Sequence, residues 1–304
     1  MDFTCVAEGL AFPEGPIALS DGSVLVVEIR AGRLTRVAPD GTKTVVAVLG
    51  GGPNGAAIGP DGAVYVCNNG GLTFQDAGGL AIPGHAPADY RSGSIQRVDL
   101  ATGAATTLYE ACDGRPLRGP NDIVFDRAGG FWFTDYGKSD DWTLDRGYLL
   151  YARADGSDIK RVRGGFLGPN GVGLSPDGAV LYVAETLTGR LWALDIEGPG
   201  ALAPAPVPWA PGRLIATLPG HQMIDSLAVE AGGKVCVAGG PDGGITVFDP
   251  DGGHEHVSIP GEVIVTNIAF GGEDLRDAWI TASGSGKLYR TRWPRRGLRV
   301  AFEG

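Results

Sequence analysis

One short turn motif recurs along the whole chain and limits what the chain can fold into. Pro-Asp-Gly occurs five times, beginning at Pro39, Pro60, Pro176, Pro241 and Pro250, and the SDG at Ser20 and the ADG at Ala154 resemble it. Asp-Gly pairs supply the positive φ angles that tight hairpin turns require. Apolar segments of strand length, such as SVLVVE, AVYVCN and GFWFTD, flank these turns. The pattern therefore predicts many short antiparallel strands.

The turns and strands group into repeating units of similar length. Six units begin near Glu14, Asn54, Asn121, Asn170, Asp225 and Thr266, at spacings of 40, 67, 49, 55 and 41 residues. A strand-only repeat of this length is typical of a β-propeller. We predict an all-β, six-bladed propeller with four antiparallel strands per blade, forming one domain over residues 1–304. The N-terminal strand around FTCVAEG would close the ring.

The excess residues of the longer units predict insertions in the loops. The largest runs from Asn68 to Gly93, between the second and third strands of unit two, and smaller insertions lie near residues 139–146 and 198–212. Because antiparallel strands reverse direction, the long insertion should lie at the end of the channel where the first strands begin. Loops of this length are usually functional or disordered. We expect this one to form a wall of the substrate pocket.

Composition excludes several other classes of protein. The 51 Gly and 21 Pro among 304 residues argue against a helix bundle, and an apolar content of 43% is enough to form a core. A net charge of −10 disfavours nucleic acid as a partner. No apolar run is long enough to span a membrane, and no signal peptide is recognisable at the N-terminus. We therefore expect a cytoplasmic location, and the oligomeric state stays open.

An oxygen-bearing residue stands at the start of the first strand in every unit. These residues are Glu14, Asn54, Asn121, Asn170, Asp225 and Thr266, with Asn267 as the alternative in unit six. Each Asn alone could be a turn residue, but turn chemistry does not require a Glu and an Asp at equivalent positions. First strands line the channel of a propeller, so these groups should converge. Two carboxylates without a basic neighbour favour a hard cation, Ca²⁺ first and then Mg²⁺ or Mn²⁺.

Several longer segments resemble the gluconolactonase/regucalcin (senescence marker protein) family of six-bladed propellers. They are FPEGPIALSDG, GPNDIVFDRAGGFWFTD, PNGVGLSPDGAVLYVAET, IDSLAVEAGGKVCVAGG and VTNIAFGGEDLRDAWIT, and together they cover nearly the whole chain. The resemblance implies one divalent metal near the channel mouth, bound by Glu14, Asn170 and Asp225. It implies that Asn121 is a further ligand of the metal or the substrate. Known members mostly hydrolyse lactones of sugar acids, and a relative with a similar metal site hydrolyses organophosphates.

Two segments depart from the family pattern. Some sugar lactonases have an Arg two residues before the third-unit Asn, where this chain has Gly119 with Arg118 beside it. The fifth unit reads MIDSLAVE where a DG pair is more common. Both departures concern the choice of substrate and leave the metal ligands unchanged.

These observations predict a metal-dependent lactonase that opens a small lactone, with a sugar-acid lactone as the first candidate. Asp225 is the expected base that takes the proton of the attacking water, and Ca²⁺ is the expected metal, with Mg²⁺, Mn²⁺, Zn²⁺ or Fe²⁺ as alternatives. The expected substrate contacts are Asn54, Asn121, Arg118, His85 and His221. Two other functions stay open. One is an organophosphate hydrolase with Asp225 as nucleophile, and the other is a non-catalytic propeller that binds metal or a partner protein.

Overall fold

Five four-stranded antiparallel sheets, and a sixth with an additional short strand, make up most of a computed structural model, which describes residues 1–302. Each sheet is one blade, and its innermost strand contacts the innermost strands of both neighbouring blades. These contacts run in chain order, and the sixth innermost strand contacts the first. The ring is therefore closed, which confirms the predicted all-β, six-bladed propeller.

Blades 1 to 3 come from the N-terminal half of the chain. Blade 1 contains β2 (Pro13–Ala18), β3 (Val24–Glu28), β4 (Arg33–Val37) and β5 (Lys43–Val48), and strand β1 (Thr4–Ala7) precedes it. Blade 2 contains β6 (Pro53–Ile58), β7 (Val64–Asn68), the inserted hairpin β8 (Phe74–Ala77) and β9 (Leu80–Pro83), then β10 (Ser94–Val98) and β11 (Ala105–Tyr109). A short pair, β12 (Ala111–Cys112) and β13 (Arg115–Pro116), leads to blade 3, with β14 (Pro120–Phe125), β15 (Gly130–Asp135), β16 (Gly147–Arg153) and β17 (Ile159–Phe166).

Blades 4 to 6 complete the ring. Blade 4 contains β18 (Pro169–Leu174), β19 (Val180–Glu185), a 3-10 turn (Thr186–Thr188), β20 (Arg190–Gly198), the short β21 (Ala201–Leu202) and β22 (Arg213–Thr217). Blade 5 contains β23 (Met223–Val229), β24 (Val235–Gly240), β25 (Gly244–Phe248) and β26 (His254–Ser258), and blade 6 contains β27 (Asn267–Gly271), β28 (Asp277–Ala282) and β29 (Lys287–Arg292). In residues 1–302 no helix is long and apolar enough to cross a membrane.

The N-terminal strand closes the ring, as the sequence predicts. Strand β1 pairs with β29 as the outermost strand of blade 6, with Thr4 opposite Arg290 and Cys5 opposite Tyr289. Blade 6 therefore contains strands from both ends of the chain. This pairing also covers the edge that β29 would otherwise expose.

The Asp-Gly turns lie mainly at one end of the molecule. Six of the seven connect first to second strands or third to fourth strands, which places them at the end opposite the starts of the innermost strands. The exception is the turn at Pro241, between β24 and β25. The turn glycines have positive φ, for example +75° at Gly62 and +72° at Gly178, which is the conformation that glycine adopts without strain.

The hydrophobic core lies between neighbouring blades. Six clusters of buried side chains each join residues of two adjacent blades. In the cluster between blades 2 and 3, the rings of Tyr65 and Phe125 meet edge to face with centroids 5.0 Å apart. Trp132 and Trp192 occupy the next cluster, between blades 3 and 4. Burial between blades fixes the positions at which the innermost strands begin.

Candidate metal centre

The innermost strands present two rows of residues at one end of the channel, which we call the mouth. The upper row is the set predicted from the sequence: Glu14, Asn54, Asn121, Asn170, Asp225 and Thr266. The lower row consists of the residues that follow them: Gly15, Gly55, Asp122, Gly171, Ser226 and Asn267. Five upper-row side chains belong to buried residues and Asp225 is half-buried, so oxygen atoms from all six blades meet in a largely dry ring.

A β-bulge follows the upper-row residue in five of the six blades. In blade 1, Glu14 pairs with Val27, and the register then shifts before Ile17 pairs with Leu25. Equivalent shifts occur in β6, β14, β18 and β23. Regular pairing would point consecutive side chains to opposite faces of a blade, and bulges re-aim side chains at functional sites. The bulges permit consecutive residues of both rows to face the channel.

The lower row holds neighbouring blades together. A Cβ atom on Gly55 would lie 2.5 Å from the carbonyl oxygen of Asn121, so this Gly allows the close approach of blades 2 and 3. Asp122 Oδ2 accepts a hydrogen bond of 3.0 Å from the Val172 amide of blade 4. Asn267 Nδ2 donates 2.7 Å to Glu14 Oε2 across the junction of blades 6 and 1. Gly55 of the lower row lies against the carbonyl oxygen of the upper-row residue in the next blade. In the same way, the Ser226 amide donates to the carbonyl oxygen of Thr266, so Thr266 is the upper-row residue of blade 6.

Three neighbouring carboxyl groups of the two rows have raised pKa values. Burial raises the pKa of Glu14 to about 7, against hydrogen bonds from Asn267 and Gly15 that lower it. Burial, with a contribution from the charge of Glu14, raises the pKa of Asp122 to about 8. The same two causes raise the pKa of Asp225 well above its ordinary value. No Lys or Arg within residues 1–302 forms an ion pair with any of the three.

Asp122 is a member of this group that the sequence reasoning missed. The signal was present, because unit three reads Pro-Asn-Asp where units two and four read Pro-Asn-Gly. An acid at a position where the neighbouring blades have Gly adds a third carboxyl directly below the upper row.

Two amide side chains of the upper row have oxygen atoms with at most a weak hydrogen bond within residues 1–302. Asn121 Oδ1 is buried and has no hydrogen-bond partner within the described part of the chain. Asn170 Nδ2 donates 3.1 Å to Thr186 Oγ1, and its Oδ1 has only a long contact of 3.3 Å from Ser226 Oγ. A buried, unpartnered oxygen is costly unless something binds it. The donor set of Glu14, Asn121, Asn170 and Asp225 fits a hard divalent cation.

Amide oxygens would be indispensable in such a site. Among residues 1–302, no three His, Cys, Asp or Glu side chains are grouped so that they could hold a metal ion. A cation in the ring would therefore need the Asn ligands as well as the carboxylates. This composition disfavours the thiolate and imidazole sites typical of structural zinc.

The insertion of blade 2, residues 68–93, lies over the mouth, and we call it the cover. Its hairpin reaches across blade 1 to blade 6, where the Ala81 amide donates 2.8 Å to the carbonyl oxygen of Gly284. The ring of Phe74 packs against Phe12 with centroids 5.1 Å apart. Farther along, the Tyr90 ring lies 5.0 Å from Lys138 Nζ of blade 3. The insertion thus lies at the end of the channel predicted from strand direction, and it has contacts on both sides of the mouth.

The structure separates the predicted substrate residues into two groups. Asn54 and Asn121 belong to the upper row, inside the mouth. Arg118 bonds Asp145 at 2.8 Å, and His85 contacts the carbonyl oxygen of Ser139 at 3.0 Å, so both hold loops around the mouth. His221 is exposed just before β23. Tyr90 Oη of the insertion donates 2.5 Å to the Arg118 carbonyl oxygen, and this bond and the His85 contact join the cover to blade 3, a connection that the sequence pattern did not indicate.

A cavity of about 370 Å³ extends along the channel on the other side of the rows. Gly15, Asp122 and Asn267 of the lower row line it, and no upper-row residue does. Its far end lies under the C-terminal residues 298–301, where the Leu298 amide donates to the carbonyl oxygen of Val229. The lining is mainly apolar, and the upper row faces the mouth and not this cavity.

Comparisons with known proteins agree with this architecture. A lactonase drp35 of Staphylococcus haemolyticus is 30% identical over 254 residues, which cover 81% of this chain and 68% of the relative. The diisopropyl-fluorophosphatase of Loligo vulgaris is 28% identical, with coverage of 99% of this chain and 95% of that protein. The solved structure of a gluconolactonase from Xanthomonas campestris superposes with a TM-score of 0.74 at 24% identity, and covers 96% of this chain and 89% of that one. The model of the SMP-30/Gluconolactonase/LRE-like region matches residues 12–284, and the chain therefore belongs to this family.

Proposed function

We propose that this protein is a lactonase that binds one divalent cation through Glu14, Asn121, Asn170 and Asp225 and opens a small lactone at the channel mouth. The observation that carries the proposal concerns residues 1–302: the buried Oδ1 of Asn121 has no hydrogen-bond partner there, and the carboxyl groups beside it have no basic partner there. The lactonase and fluorophosphatase named among the relatives support hydrolysis at such a site. A sugar-acid lactone is the first candidate substrate, as the family resemblance implies.

Ca²⁺ is the proposed cation, with Mg²⁺, Mn²⁺, Zn²⁺ or Fe²⁺ as alternatives. Two carboxylates and amide oxygens are hard ligands, which Ca²⁺ accepts in flexible geometry. The raised pKa values of Glu14 and Asp225 supply the reason for binding, because a cation permits both groups to ionise. When bound, the cation would act as a Lewis acid toward the lactone carbonyl.

Asp225 is the proposed general base. The residue is half-buried, and the Ser226 amide donates 3.1 Å to Oδ1 and orients the group. Asp225 would take a proton from water as the water oxygen bonds to the acyl carbon. The ring C–O bond then breaks, and the same proton returns to the leaving alkoxide oxygen, so the product is the open hydroxy acid.

The remaining polar side chains have proposed roles in substrate binding. Asn54 and Asn121 lie in the ring, where their amides could contact the lactone and its hydroxyl groups. Arg118, His85 and His221 stand farther out, and their role would be to position the cover or the outer part of the substrate. A cytoplasmic location and a small-molecule partner, without nucleic acid, complete the proposal.

An organophosphate hydrolase is the second candidate. The relative named diisopropyl-fluorophosphatase aligns over 99% of this chain, which is the observation that favours it. In that reaction Asp225 would attack phosphorus and fluoride would leave, and water would then release the phosphoryl group from the carboxyl. A non-catalytic propeller remains the alternative of another class.

A substrate panel on metal-stripped and reloaded protein tests the proposal. Aldonolactones, aromatic lactones and a fluorophosphate are assayed without metal and with Ca²⁺, Mg²⁺, Mn²⁺, Zn²⁺ or Fe²⁺. We expect lactone turnover that is lost on stripping and restored by reloading. Glu14→Gln and Asp225→Asn should each weaken cation binding about 10–100-fold, and Glu197→Gln, at an exposed carboxylate, serves as the control.

Each alternative has its own result in this panel. Undiminished turnover in metal-free protein contradicts the cation requirement. Faster turnover of the fluorophosphate than of every lactone favours the organophosphate hydrolase. Tight cation binding without turnover of any substrate favours the non-catalytic propeller.

A further inference from the structure

Tyr136 stands between the starts of two innermost strands. It follows β15, and its backbone amide donates 2.8 Å to the carbonyl oxygen of Gly119, two residues before Asn121. Its ring lies against Gly168, two residues before Asn170. A Cβ atom on Gly168 would be only 2.8 Å from a ring carbon and 3.0 Å from the hydroxyl oxygen. The residue thus lies between the segments that lead to the two Asn ligands of the proposed cation.

The hydroxyl of Tyr136 faces the upper row but is not needed to complete a structural hydrogen bond. It lies near Thr186 and Asp225. Thr186 Oγ1 already donates 2.7 Å to the Ile224 carbonyl oxygen and accepts 3.1 Å from Asn170 Nδ2. The residue is half-buried, so part of it remains open.

The protonation state of this hydroxyl suits a permanent donor. The phenol of a tyrosine has an ordinary pKa of about 10. The group therefore keeps its proton throughout the pH range in which a lactone is stable enough to assay. A neutral donor in a poorly hydrated site stabilises developing negative charge on oxygen.

We propose that Tyr136 is a catalytic residue whose hydroxyl donates a hydrogen bond to the lactone oxygen that gains negative charge beside Asp225. No bond to Tyr136 forms or breaks, and its proton stays on the phenol throughout. The inference rests on the proposed lactonase function and adds one polar contact to the substrate, on the side of the mouth where blades 3 and 4 meet. The sequence offered no sign of this role, because Tyr136 lies in no motif that recurs between blades.

Tyr136→Phe tests the proposal with Tyr109→Phe as the matched control. The Tyr109 hydroxyl donates 2.8 Å and 2.9 Å to the carbonyl oxygens of Arg153 and Asp158, at the outer strands and away from the mouth. In Ca²⁺-loaded protein, we expect Tyr136→Phe to lower kcat for an aldonolactone about 100-fold. KM should change less than about threefold, and Ca²⁺ affinity and Tm should match those of the wild type. Tyr109→Phe should retain wild-type kcat.

The outcomes separate this inference from the proposed function. If the wild type hydrolyses the lactone and Tyr136→Phe has the same kcat, the inference fails while the proposed function stands. A loss of kcat accompanied by an equal loss of Ca²⁺ affinity also overturns it, because the role would then be structural. If the wild type hydrolyses no lactone, the proposed function fails, and calorimetry with gluconate decides the contact. Binding at least tenfold weaker in Tyr136→Phe supports the contact, whereas equal or absent binding rejects it.

Discussion

Removal of the cation should make the stability of this protein fall as the pH rises from 5 to 8. Glu14 has its pKa raised by burial from 4.5 to about 7 in the folded, metal-free protein. Between these values the unfolded chain loses a proton that the folded protein keeps, so unfolding becomes progressively more favourable. The stability is therefore complete below about pH 4.5 and is lost as the pH approaches 7.

The size of this effect follows from the two pKa values. A change from 4.5 to about 7 corresponds to about 3 kcal/mol, and for a chain of this length that lowers Tm by roughly 6–12 °C. Asp122, with its pKa raised by burial to about 8, extends the loss toward pH 8. Elsewhere, hydrogen bonds from Arg33 and Thr35 outweigh burial and lower the pKa of Glu28, so that carboxyl titrates below this window.

Thermal unfolding, monitored by circular dichroism at pH 5, 6, 7 and 8, tests the predicted fall in stability. It is measured in chelator-treated protein and again after Ca²⁺ addition. Metal-free wild type should lose stability across the series, and saturating Ca²⁺ should remove most of the slope. Glu14→Gln cannot ionise, so its loss of unfolding free energy across the pH series should be smaller by about 3 kcal/mol in the metal-free state. A flat Tm in metal-free wild type, or an equal slope in Glu14→Gln, would refute the reasoning.

Three further predictions concern the ring and its cover. Asn121→Leu removes the unpartnered oxygen, so Ca²⁺ affinity measured by calorimetry should fall at least tenfold while metal-free Tm stays equal or rises; unchanged affinity would exclude Asn121 as a ligand. Gly55→Ala places a Cβ 2.5 Å from a carbonyl oxygen and should cost more than about 2 kcal/mol in urea unfolding. Gly198→Ala, where a Cβ would meet nothing within 4 Å among residues 1–302, should cost little; equal effects would contradict the close-approach argument. Replacement of residues 74–90 by a short Gly-Ser linker should change KM and the ranking of lactones but not Ca²⁺ affinity; an unchanged ranking would exclude a role in specificity.

Local patterns were enough to predict the fold. Asp-Gly turns and strand-length apolar segments are short-range signals, and their repetition fixed the number of blades and the closing strand. The upper row was predictable for the same reason, since each member occupies an equivalent place in its unit. The position of the long insertion followed from strand direction alone.

The finer features of the site depend on contacts between blades, which a repeat pattern does not contain. The β-bulges arise where the lower row packs against the next blade, and nothing in the strand pattern marks them. Asp122 was visible as an exception to Gly but could not be placed without the channel. Tyr136 and the attachment of the cover through Arg118 depend on where loops of different blades meet.

Contacts made by the two rows couple cation binding at the proposed site to the closure of the propeller ring. Asn267 of blade 6 bonds Glu14 of blade 1, and Asp122 of blade 3 bonds the Val172 amide of blade 4. The same side chains that crowd negative charge into the ring therefore also join its blades. Charge left unbalanced in the ring acts directly on these junctions, and the junction of blades 6 and 1 is where the ring closes. An ion at the upper row would relieve repulsion and tighten the closure at once. Blade closure and cation binding should then respond together to any substitution in the lower row, even though no lower-row residue is a proposed ligand.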